Sequence, residues 1–126
     1  MEQTQHPHST HMPGGRAQYQ TLDAMPFDVV ETHILHVARL FFVGFHHPKS
    51  QAWMSAIFAA EHLFGTSQVA TTAARILQVV NSARYVRSAG FNYCDPNCVD
   101  CARFVTKEER YLIMGCALPP TATLVR

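Results

Sequence analysis

The sequence from Phe27 to Phe45 reads FDVVETHILHVARLFFVGF. Apolar side chains recur in it at intervals of three and four residues, which places them on a single stripe of an α-helix. The members of this stripe are Phe27, Val30, Ile34, Val37, Phe41 and Phe45. Leu35, Leu40 and Phe42 widen the apolar surface well beyond it. A helix that is apolar over so much of its circumference is expected at the centre of a bundle or in a dimer interface.

Polar and turn-forming residues mark both ends of this helix. Asp28 can cap the first turn, and Glu31 stands three residues later, as in a capping box. Gly44 and the His-His-Pro run at 46–48 are expected to end the helix.

Two more helices follow along the chain. The second is predicted from a cap at Ser50 to Gly65, and the third from residues 66–67 to about Ser88. The second helix carries an apolar stripe of Trp53, Ile57, Ala60 and Phe64. The third keeps the helical period with Val69, Ala73, Ile76, Val80 and Ala83.

A last helix has a strong start signal. Thr106 and Glu109 have the spacing of a capping box, in which each side chain accepts a hydrogen bond from the backbone amide of the other residue. Pro119 and Pro120 are expected to stop this helix. No strand-like alternation persists along the chain. The sequence therefore predicts an all-α fold, a small helical bundle of four to five helices with a C-terminal cysteine-rich metal-binding loop.

The length of 126 residues is that of one domain. We predict a flexible tail containing His, Pro and Gly over residues 1–25, a single helical domain over 26–118 that includes the cysteine loop 91–105, and a C-terminal tail over 119–126. The formal net charge of +1 argues against strong, charge-driven binding to nucleic acid or membranes.

The expected location is cytoplasmic, without membrane insertion. The N-terminus lacks the apolar core of a secretory signal, and the longest apolar run contains His36 and Arg39. Closely spaced cysteines in a reducing compartment are more often ligands or redox groups than structural disulfides.

The cysteines form the main candidate site. The segment from Tyr93 to Cys101 reads YCDPNCVDC. Two residues between Cys98 and Cys101 let both thiolates meet a tetrahedral ion while backbone amides point at the sulfur atoms. Cys94 lies one short turn upstream, and Asp-Pro-Asn at 95–97 has the residue types of such a turn. We therefore predict a Zn²⁺ site held by Cys94, Cys98 and Cys101.

Several groups are candidates for the fourth ligand. Cys116 lies along the final helix and is the natural choice, although free cysteine is also common in a protein core. A histidine of the His46-His47 corner is another candidate. A side chain of a partner, or a water, would leave the site open.

The spacing C-x3-C-x2-C resembles the three-cysteine motif of radical SAM enzymes, whose thiolates hold an iron–sulfur cluster with one iron open to substrate. The resemblance covers eight residues, and this chain has neither the length nor the strands for the barrel around the motif in that family. It implies only an alternative cofactor, a [4Fe–4S] cluster on the same thiolates.

The short turn between the second and third helices contains Gly65 and is similar to a helix-turn-helix. In that interpretation Arg75, Arg84 and Arg87 are the candidate nucleic-acid-binding residues. The alternative is an ordinary αα-hairpin with a solvated polar face. The hairpin is favoured, because the first basic side chain of the helix arrives only at Arg75.

The sequence favours a small regulatory or adaptor protein with a structural zinc ion, acting through protein–protein contacts as a homodimer or with a partner. The alternative is an iron–sulfur redox or gas sensor that binds DNA through the helix at about 67–88. No catalytic residue is predicted, because no Ser/His/Asp order, phosphate loop or carboxylate pair stands at a persuasive spacing. An enzyme is therefore the least favoured class.

Overall fold

A computed structural model describes residues 20–86 and 92–115 of the chain. In this part the elements are β1 (Gln20–Thr21), α1 (Val29–His46), α2 (Ala52–Phe64), α3 (Val69–Val86), α4 (Val99–Ala102), β2 (Phe104–Val105) and α5 (Lys107–Gly115). Short 3₁₀ turns cover Leu22–Ala24 and Pro48–Ser50. The described chain is thus mostly helical, as predicted.

Helix α1 lies at the centre of the fold. Its predicted capping box is confirmed, with the Glu31 amide 2.7 Å from Asp28 Oδ1 and the Asp28 amide 2.9 Å from Glu31 Oε1. From Ile34 to Val43 every side chain except His36 is buried. Helices α2, α3 and α5 all pack against it. The broad apolar surface of α1 is therefore covered by the rest of its own chain.

Helix α2 faces the core mainly with alanine side chains. Ala52, Ala56, Ala60 and Phe64 are buried. Trp53 and Ile57, which the apolar stripe placed inward, are exposed, so that part of the prediction is wrong. Close helix packing explains the difference, because a Cβ atom at Gly44 of α1 would lie 3.1 Å from the Trp53 backbone nitrogen. Helices this close leave room for alanine and not for an indole ring between them.

Helix α3 begins two to three residues later than predicted. Residues 66–68 form a turn instead, in which the Gln68 amide donates to the Gly65 carbonyl over 3.1 Å. Gly65 has φ 93°, a conformation that favours glycine and that ends α2 as expected. The buried residues Ala73, Ile76 and Val80 confirm the predicted stripe. None of the described helices is both long and apolar enough to cross a membrane.

Residues 20–25 differ from the predicted tail. Strand β1 pairs antiparallel with β2, Gln20 opposite Val105, and the Leu22 amide donates to the Arg103 carbonyl over 2.6 Å. Leu22 and Met25 then pack against the main core. Strands of two residues are too short to show alternation, so no sequence pattern indicates them. Residues 1–19 and 116–126 lie outside the described part of the chain, and for them the predicted tails stay predictions.

The inward alanines of α2 lead to a stability test. Ala56→Leu should lower the free energy of unfolding by about 1–3 kcal/mol, because the contact with α1 has no space for a larger side chain. Ser55→Leu, the exposed neighbour, should change it by less than about 0.5 kcal/mol. Urea unfolding of both variants measures the difference. Equal effects would contradict the packing described for this helix.

Candidate functional site

A buried ion pair supports the cysteine loop. Arg39 of α1 and Glu109 of α5 have side chains only 4% and 1% exposed. Arg39 Nε lies 2.6 Å from Glu109 Oε2, and Nη2 lies 3.0 Å from Oε1. This two-point contact fits the planar guanidinium to the carboxylate, and it stabilises the charges only because both groups are well paired.

The remaining donors of Arg39 bind backbone carbonyls beside the loop. Nη1 donates to the Ala102 carbonyl over 2.9 Å, and Nη2 to the Phe104 carbonyl over 2.5 Å. Burial by itself would lower the pKa of Arg39, but the hydrogen bonds and negative charge of Glu109 outweigh it and raise that pKa. The Arg39 side chain of α1 therefore holds the backbone on the C-terminal side of Cys101.

Glu109 joins the ion pair to the capping box of α5. Its Oε1 accepts from the Thr106 amide at 2.9 Å, and the Glu109 amide donates to Thr106 Oγ1 at 3.0 Å. The predicted capping box is thus confirmed. Glu109 Oε2 also accepts from the Cys94 amide at 3.1 Å, while Thr106 Oγ1 donates to the Asn92 carbonyl at 2.7 Å. The carboxylate consequently fixes both the start of α5 and the start of the cysteine loop.

The first three cysteines form a small apolar cluster separate from the main core. Cys94 and Cys101 are fully buried against each other, and Cys98 and Phe104 pack against them while half-buried. All three cysteines are free thiols. The Cys101 amide points at Cys98 Sγ over 3.4 Å, which is the amide–sulfur contact expected of the C-x-x-C segment.

The turn between Cys94 and Cys98 has the predicted chemistry. Asp95 Oδ1 accepts from the Asn97 amide at 2.9 Å, and the Asp95 carbonyl accepts from the Cys98 amide at 3.2 Å. An aspartate that binds the amide two residues later is a common way to close such a turn. This turn carries Cys98 back toward the other two cysteines.

The surroundings of Cys94 favour its neutral thiol. Burial strongly raises the pKa of Cys94, and the negative charge of Glu109 adds to that effect, while Arg39 acts in the opposite direction. A metal ion that binds the sulfur of Cys94 would therefore have to displace its proton.

The predicted metal centre is not confirmed. Within residues 20–86 and 92–115, no three His, Cys, Asp or Glu side chains are arranged to hold a metal ion. Cys116, the candidate fourth ligand, lies outside the described residues. His46 of the alternative corner lies near the loop, with its Nδ1 atom 3.2 Å from the Tyr93 hydroxyl. The chain thus brings three of the four predicted sulfur ligands into one cluster without forming a finished site.

Tyr93 anchors the start of the loop on α1. Its ring is stacked on Phe42, with centroids 5.2 Å apart and an interplanar angle of 16°. Burial, and then the negative charge of Asp95, raise the pKa of Tyr93 to about 12. The phenol is therefore part of the packing that fixes the loop.

Two of the three candidate nucleic-acid-binding residues, Arg75 and Arg84, lie on α3. Arg75 donates to Gln78 over 3.3 Å and lines an open groove of about 570 Å³ with Phe45 and Leu77. The Arg84 guanidinium stacks over the Phe45 ring at 3.9 Å. Arg87 lies outside the described residues. No observation tests their contact with nucleic acid, so that assignment stays a prediction.

Sequence reasoning missed the most strongly bonded pair of the site. Arg39 stands among apolar residues of α1, and Glu109 was assigned only to a capping box. An arginine within the most apolar helix of a chain must find a partner, because burying an unpaired charge is very costly. That signal was present, but the sequence offered several carboxylates and no way to choose among them.

The ion pair leads to a second stability test. Glu109→Gln should lower the free energy of unfolding by about 3–5 kcal/mol, because it leaves the buried Arg39 charge uncompensated. Glu108→Gln is the matched control on the same helix and should cost less than about 0.5 kcal/mol. Urea unfolding measures both. A small loss for both variants would mean that the buried pair adds little to stability.

Tyr93 leads to a test by alkaline titration. The absorbance of phenolate should show Tyr93 ionising near pH 12, and Tyr93→Phe should remove this late step. Since the unfolded phenol loses its proton near pH 10, stability should fall as pH rises from about 10 towards 12. Tyr111→Phe changes an exposed ring and should leave the late step in place. A late step that survives Tyr93→Phe would contradict the assignment.

A comparison with protein-family models, with curated proteins and with solved structures finds no match to this chain. The candidate site therefore has to be interpreted from its own geometry and chemistry.

Proposed function

We propose that this chain is a small regulatory or adaptor protein whose cysteine loop binds a structural Zn²⁺ ion. It acts through protein–protein contacts. The metal would not take part in a reaction. Its role would be to fasten α5 and the loop to the helical bundle.

The observation that carries the proposal is the clustering of three free thiols. Cys94, Cys98 and Cys101 come from a short loop and pack together, apart from the main core. Three reduced sulfur atoms in one cluster supply the soft ligands that zinc prefers. The amide of Cys101 already points at Cys98 Sγ, as it does where thiolates need their charge offset.

The surroundings of the cluster support a structural role. Arg39 and Glu109 hold the backbone on both sides of the cysteines, so the loop is positioned before any ion arrives. The positive charge of Arg39 also acts on Cys94 and would favour its thiolate form. Cys116 is the proposed fourth ligand. Binding energy at such a site adds directly to the free energy of folding.

Metal analysis tests the proposal. Protein purified anaerobically should contain close to one zinc per chain. Cys98→Ser should lose the zinc and melt at a lower temperature. Val99→Ser is the matched control, since it changes the exposed neighbouring side chain and no sulfur, and it should keep both the zinc and the melting temperature.

Two outcomes would overturn the zinc assignment. A brown protein with a broad visible band would place an iron–sulfur cluster on the same cysteines. A metal-free protein that is as stable as its Cys98→Ser variant would remove the metal altogether.

A further inference from the structure

Helix α2 carries its large apolar side chains on the outside. Trp53 is 53% exposed, Met54 38%, Ile57 36% and Phe58 62%. These four residues lie within two turns of the helix, on a face that adjoins the buried alanines. Soluble monomers rarely leave such a continuous apolar patch in water, and a patch of this kind marks an interface.

The order of the side chains along this face is self-complementary. The four apolar residues are placed symmetrically about the midpoint between Ser55 and Ala56. Two such helices lying antiparallel about that midpoint bring Met54 of one copy against Ile57 of the other, and this central contact occurs twice. Trp53 then faces Trp53 of the other copy along one flank, and Phe58 faces Phe58 along the other, as a twofold interface requires.

The charges at the two ends of the helix are complementary in the same arrangement. Lys49 is exposed just before α2, and Glu61 is exposed near its end, one turn beyond Ile57. Antiparallel pairing brings the N-terminal end of α2 in one copy next to the C-terminal end of α2 in the other. Lys49 therefore approaches Glu61 of the second copy at both edges of the apolar contact. A parallel arrangement would place like charges together.

We propose that two copies of this chain form a homodimer through α2, paired antiparallel about a twofold axis at its midpoint. The four apolar residues form the centre of the interface, and the Lys49–Glu61 pairs form its rim. Opposite charges at the two ends of this face, on Lys49 and Glu61, favour a second copy of the chain as the occupant. The inference names a partner for the protein-contact part of the proposed function and rests on that part alone, not on the metal.

The first test follows association by fluorescence. Trp53 is the only tryptophan of the chain, so its emission reports on this face alone. Emission should shift to shorter wavelength as protein concentration rises, in parallel with the dimer fraction from sedimentation equilibrium. Phe58→Ser should weaken the dimer at least tenfold, because aromatic residues at the centre of an interface dominate its affinity. Met114→Ser removes an exposed apolar side chain from α5 and should leave the affinity unchanged.

A charge exchange tests the antiparallel arrangement. Lys49→Glu and Glu61→Lys should each weaken the dimer by about tenfold at low salt, because both edges change from attraction to repulsion. The double variant should recover the original affinity, since it only exchanges the two signs. Zinc content and urea midpoint measured on the same samples separate a failure of this interface from a failure of the metal proposal.

Three results would overturn the inference. These are a monomer at all concentrations, a dimer unaffected by Phe58→Ser, or a double variant no tighter than the single ones. A dimer unaffected by Phe58→Ser would place the interface on another face. A double variant no tighter than the single ones would mean a different geometry or a different partner.

Discussion

A guanidinium and a carboxylate that are buried away from water must both be hydrogen-bonded within the protein. In this protein Arg39 and Glu109 are buried together and bond to one another. The pair is more than a local contact. Arg39 also binds the carbonyls of Ala102 and Phe104, and Glu109 binds the amides of Cys94 and Thr106. Two side chains thus define how residues 92–115 lie on the helical bundle.

The cysteine loop depends on this pair for its shape. The loop contributes little to the main core, because its own apolar cluster consists of three cysteines and Phe104. Other contacts fix only its ends, namely the stacking of Tyr93 on Phe42, the Thr106 hydrogen bond to the Asn92 carbonyl and the pairing of β1 with β2. In the proposed function, such a loop would bind its ion without rearranging the helices around it.

The helices were predictable because each has a strong local signal. The capping boxes at Asp28 and Thr106 and the apolar period of α1 and α3 depend on near neighbours, and the structure agrees with them. The orientation of α2 was not predictable. Alanine and tryptophan both count as apolar in a periodic pattern, and only the distance between the helices decides which of them faces the core. The pairing of Arg39 with Glu109 and of β1 with β2 links distant positions, and local patterns carry no information about such contacts. For the candidate site, Cys94, Cys98 and Cys101 lie in one cluster and the segment 95–97 forms a turn, whereas the metal site itself stays a prediction.

The separation of Arg39 and Glu109 by 70 positions has a consequence for the newly made chain. At typical rates of synthesis the carboxylate appears roughly 4–14 s after the guanidinium, long after a helical hairpin of α1 and α2 has had time to form. During that interval Arg39 must keep contact with water, so the nascent bundle has to stay open on the side that α5 later covers. The core can therefore close only after the last helix has been translated. On a ribosome stalled before Glu109, one face of the bundle would stay exposed to water.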